Sequence, residues 1–154
     1  MNIFTEAPLW IWPLLADLVV IGLRALRERR VPTWMIYALP VLVVLALRSV
    51  AGLEPGLPGW AVFAVVWAGS ALVGYRLANR WVIARTDGHV RLRGEALTLV
   101  ALMLIFWANF AAGVLDAVAP AALHSAIGVG AFAGLLAAAS GQFAGRALWI
   151  ARRT

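Results

Sequence analysis

Three polar side chains, Asp17, Ser70 and Asn109, fall in the middle of long hydrophobic stretches. Counting about 1.5 Å of rise per residue sets all three roughly 10 to 15 Å from the outer ends of their helices, near one level. An aspartate at the centre of a membrane helix costs roughly 2.5 to 3.5 kcal/mol, so it needs a partner or a purpose. A carboxyl there could bind and release protons, the chemistry of a proton-coupled site. Pro40 lies close to the same level, and an interior proline frees a carbonyl one turn earlier, near Ile36. One reading is therefore a shared cluster of Asp17, Ser70, Asn109 and opened backbone. The other is that each polar side chain bonds to neighbouring backbone and acts only as helix glue, worth about 0.6 kcal/mol on average. Arg24, two turns further along the face of Asp17, could also draw the carboxylate toward the inner interface.

A second, looser group is expected at the outer ends of the helices: Arg48, Glu54, Asp116 and His124. Arg48 is the only basic residue expected on that side, so an ion pair with Glu54 or Asp116 is the default. One outer histidine with scattered carboxylates lacks the paired spacing of zinc or copper sites, and His89 falls on the other side of the membrane. The chain has no Cys, which excludes disulfides and thiolate chemistry. A phosphate-binding glycine loop, HExxH and Gly-x-Ser-x-Gly are all missing from it, so no catalytic residue, metal or cofactor is expected.

The elements that must hold these residues follow from composition. The 154 residues are 64% hydrophobic and 13% charged, against about 45 to 50% and about 25% in globular domains. So few charges cannot cover a water-facing surface, and lipid becomes the outer solvent. A formal charge of +6 could suggest nucleic acid, but the thirteen basic residues are all Arg and cluster between or after the apolar runs. That pattern marks membrane topology rather than a phosphate-binding face. Residues 1–8 carry Glu6 and no basic side chain, so the first apolar run reads as a retained segment, not a cleaved signal.

About 20 apolar residues cross roughly 30 Å of hydrocarbon. Five runs are candidates, at about 8–23, 32–47, 60–77, 96–118 and 123–145. The expected fold is a single all-α domain, 1–154, a polytopic bundle of five spans, or four if the first lies only at the interface. Pro32 suits the first turn of a helix, and Gly52 to Gly59 reads as a turn outside the membrane. Pro120 ends the fourth run. Between the third and fourth spans, Trp81, Ile83, Val90 and Leu92 alternate around Asp87-Gly88, which predicts a short cytoplasmic β-hairpin or loop. Of the eight Trp, Trp10, Trp12, Trp34, Trp60, Trp81 and Trp149 fall near helix ends, where indole rings favour the headgroup level, leaving Trp67 and Trp107 in mid-span.

With the N-terminus outside, every Arg except Arg48 falls on the inner side, the cytoplasmic excess that sets orientation. Those clusters would touch anionic headgroups. Gly130 and Gly134, then Gly141 and Gly145, have the small-xxx-small spacing that lets backbones approach in lipid, as do Ser70 and Gly74. A tight interface is expected there, either between the fifth and third helices or across a homodimer.

From Gly74 to Pro120 the chain carries an Arg-bearing helix end, the stretch ARTDGHVRLRGEALTL, a helix containing FWANF, and a closing proline. This order resembles small uncharacterised multi-pass proteins of bacterial inner membranes and is weakly similar to the CcdC-type membrane proteins associated with cytochrome c biogenesis. The resemblance covers about a third of the chain and implies a bacterial inner membrane. It brings no functional residues with it. Two functional expectations stand: a non-enzymatic accessory or assembly component, or a small oligomeric transporter or channel working through a proton-titrating Asp17.

Overall fold

Apolar runs that no charge or proline interrupts become long helices, since only a helix satisfies its own backbone where water is absent. The computed structural model describes residues 11–32, 41–86, 89–94 and 96–152. In chain order these form α1 (Ile11–Ala25), β1 (Arg29–Pro32), α2 (Val41–Ala51), α3 (Gly56–Trp81), β2 (Val82–Thr86), β3 (His89–Leu92), α4 (Ala96–Val118), a single turn α5 (Pro120–Leu123), and α6 (Ala126–Arg152).

Three helices, α3, α4 and α6, are long and apolar enough to cross a membrane. Five spans are not what the described residues give. The runs expected at 8–23 and 32–47 contribute helices of 15 and 11 residues, about 22 and 16 Å long, short of the roughly 30 Å needed. Residues 8–10 and 33–40, including Pro40 and Ile36, lie outside the described residues. The fourth run coincides with α4. The third begins earlier than expected, because the turn is confined to Gly52–Pro55 and Gly56 already opens α3. Pro58 does not prevent this, since first-turn amides have no intrahelical partner to lose. Two left-handed residues make the reversal, Glu54 in the turn (φ 49°) and Gly56 at the first position of α3 (φ 57°).

α6 is the central helix and supplies most of the buried side chains. Its closest neighbour is α3, and the two run parallel. Gly59 approaches Val129, Ser70 bonds to Ala138, Gly145 meets Ala71, and Arg152 lies over Tyr75, so residue numbers rise together along both helices. α4 runs the other way: Ala101 packs with Ala139 and Phe143, whereas Ala108 packs with Phe132 and Ala133. α1 joins the far side of α4, with Gly22 against Leu99. α2 adds Ala46 and Val50 to the core beside Phe63 and Leu136.

The 80–94 segment is not an isolated two-stranded hairpin. It belongs to a three-stranded antiparallel sheet in the order β1-β3-β2, with Arg30 opposite Arg91 and Arg85 opposite Val90. The sequence reading found no β1 and placed Pro32 in the first turn of a helix, yet Pro32 ends this strand; four residues made of two Arg, a Val and a Pro carry too little alternation to announce a strand. The Asp87-Gly88 turn lies outside the described residues. A 3.0 Å ion pair between Glu28 and Arg91 fastens the sheet to the exit of α1, and Gly94 packs on the Leu26 backbone.

This arrangement gathers the basic residues. The C-terminal ends of α1, α3 and α6, the N-terminal end of α4 and the sheet all lie at one end of the bundle, and with them Arg24, Arg27, Arg30, Arg76, Arg80, Arg91, Arg93 and Arg152. The opposite end holds Arg48, Glu54, Asp116 and His124.

Candidate functional site

Asp17, Ser70 and Asn109 are not hydrogen-bonded to one another. Ser70 Oγ donates to the Ala138 carbonyl at 2.6 Å, a bond from α3 to α6. Asn109 Nδ2 donates to the Ile105 carbonyl of its own helix at 2.8 Å, and the residue is exposed. Asp17 is also exposed, on the surface of α1, with no hydrogen bond or ion pair to a described residue. Two of the three thus act on backbone. The early start of α3 sets Ser70 about 21 Å from its first residue, one reason the common level dissolves.

At the other end of the bundle the expected Arg48 ion pair does not form: neither Arg48 nor Glu54 is paired among the described residues, and both are exposed. Glu54 is occupied as a turn residue, its left-handed backbone closing the end of α2. The pair that does form is His124 Nε2 with Asp116 Oδ1, 3.5 Å apart and open to solvent, where such contacts contribute little.

The glycines divide by face. Gly141 and Gly145 lie against α3: a Cβ at Gly141 would stand 2.6 Å from the Trp67 carbonyl oxygen, and one at Gly145 would overlap the Ala71 carbonyl. Gly74 does the same from the other side, against the Gln142 backbone. Gly130 meets nothing within 4 Å, and Gly134 only touches Val62 at ordinary distance. Gly134 thus faces α3 with room for a side chain and Gly130 faces open space, so the close approach of the two backbones rests on Gly74, Gly141 and Gly145.

Sequence reasoning missed two residues of α6. Arg146, placed with the flanking Arg of the last segment, is 2% exposed inside the bundle, its guanidinium 5.8 Å from the Phe143 ring centre. Gln142 is 5% exposed, and neither amide atom has a hydrogen-bond partner among the described residues. The signal that could have revealed both is their spacing from Ala139 and Phe143 on one helical face. The expected end of the helix at Gly145 hid it.

A groove of about 630 Å³ runs along the outside of the α3–α6 pair toward the Arg-rich end. Trp67, Ala71, Leu72, Tyr75, Ala144, Gly145 and Leu148 line it, with Arg152 at its Arg-rich end. Leu72 and Leu148 form its rims, 51% and 49% exposed. The Arg152 guanidinium sits 5.9 Å over the Tyr75 ring, a cation–π placement.

Three helices long and apolar enough to cross a membrane, with Val65, Val73 and Val100 on them more than half exposed, suggest a membrane protein by length and composition. No family model matches the chain, and no curated protein or solved structure matches it either.

Proposed function

We propose that this chain is a non-enzymatic component of a bacterial inner membrane that docks other membrane-embedded helices, as an accessory or assembly factor does. The observation that carries the reading is the exposure of Asp17 midway along α1, with Asn109 exposed on the adjoining helix α4. In hydrocarbon a lone carboxylate is expensive, and a neighbouring polar helix removes that cost.

The proposed topology has five passes, with the N-terminus outside and the C-terminus in the cytoplasm. Its support is connectivity: β1 belongs to the Arg-rich end and Gly56 to the opposite one, with α2, shorter than a full span, between them in the chain. The gathering of every described Arg but Arg48 toward one end favours that end as cytoplasmic.

Photo-crosslinking from Ala16 and Val20, both exposed beside Asp17, tests docking in the native membrane. A discrete protein adduct that Asp17→Ala abolishes supports the reading. Asp17-dependent proton flux in proteoliposomes, with adducts only between copies of this chain, would replace it with the oligomeric transporter or channel.

A further inference from the structure

We infer that the groove between α3 and α6 binds one anionic phospholipid of the surrounding bilayer, an acyl chain lying between Leu72 and Leu148 and the phosphate meeting Arg152. The inference rests on the membrane reading and adds to it a defined site and ligand class. Because Gly145 has no side chain, α3 and α6 touch at Ala71, and this contact makes the floor of the slot. The two half-exposed leucines then stand as walls, and the lining is almost wholly apolar, which suits an acyl chain rather than a compact polar solute.

Charge fixes the orientation and the class. Arg152 is exposed at the Arg-rich end of the groove and lies over Tyr75. Arg76 and Arg80, in the last turns of α3, are exposed at the same end and raise the local positive potential. A guanidinium presents a planar fork that matches a phosphate with two parallel hydrogen bonds, and basic pockets between membrane helices suit anionic headgroups. A free phosphate would use the fork and leave the slot empty, whereas a phospholipid occupies both.

Native mass spectrometry of the full chain in detergent reads the site directly, with phosphatidylglycerol and phosphatidylcholine of identical chains as probes. At equal concentrations the wild type retains the anionic lipid about fivefold better, the worth of one cation near a charged lipid surface. Arg152→Gln removes the preference while leaving residual binding of both lipids. Ala144→Phe fills the slot and lowers both. Leu148→Ala, an exposed change that cannot disturb the core, also lowers both and stands in for Ala144→Phe if that variant does not fold. Equal retention by the wild type, a preference that survives Arg152→Gln, unchanged binding in Leu148→Ala, or displacement of the lipid by inorganic phosphate alone would each overturn the site. A chain that needs detergent yet shows no preference sinks only this inference. One that stays dissolved without detergent sinks the membrane reading beneath it.

Discussion

Ser70 and Ala138 join the two parallel helices of the bundle through a 2.6 Å hydrogen bond from a side-chain hydroxyl to a main-chain carbonyl. The bond is possible because the small residues around it, Gly74 on α3 and Gly141 on α6, bring the backbones together. In lipid, where burial of apolar surface gives no drive between helices, such contacts and close packing carry the association.

Ser70→Ala should therefore destabilise only slightly, by about 0.6 kcal/mol and no more than about 1.7. Reversible unfolding in mixed micelles measures it. A loss several times larger would mean that the hydroxyl does more than bridge α3 to α6.

Glycine substitutions should separate by face. Gly145→Val drives its side chain into the Ala71 carbonyl and should cost about 1 to 3 kcal/mol, as overpacking does. Gly130→Ala meets open space and should be neutral or stabilise by about 0.5 to 1 kcal/mol through helix propensity. Comparing the melting temperatures of the two variants in one detergent decides it, and equal effects would contradict the α3–α6 contact.

Gln142 carries a buried amide with neither atom bonded among the described residues, and such groups cost about 1 to 3 kcal/mol each. Gln142→Met, similar in length and flexibility, should raise stability by about 1 kcal/mol or more. The same unfolding assay checks it, and a fall in stability would show that the amide is satisfied in the membrane.

The lack of cysteine gives a background-free map of topology. Gly52→Cys, at the Glu54 end, should react with an impermeant maleimide added to intact cells. Arg93→Cys, at the sheet end, should react only after the membrane is opened. The reverse pattern would invert the proposed orientation.

Much of the helix layout was legible in the residues. The run 96–118 became α4 because hydropathy, length and a following proline agree on both of its ends. The start of α3 was misread because Gly and Pro at 55–59 look like breakers in any window, yet at a helix N-terminus they are tolerated. The candidate sites were less legible. Asp17, Ser70 and Asn109 were grouped by depth alone, and depth says nothing about which way a side chain turns about its helix.

The order of residues by itself determined which stretches are apolar enough to become long helices, and that the guanidinium groups collect at alternate connections, because hydropathy and charge accumulate along the chain. Only the tertiary structure decided that α3 and α6 run parallel in contact at Ala71 and Gly145. It also decided that Arg146 and Gln142 turn inward, that β1 joins the sheet, and that Asp17 stays on the surface. In lipid, neighbours are selected by how closely two backbones can approach, and that fit depends on pairs of surfaces distant in sequence.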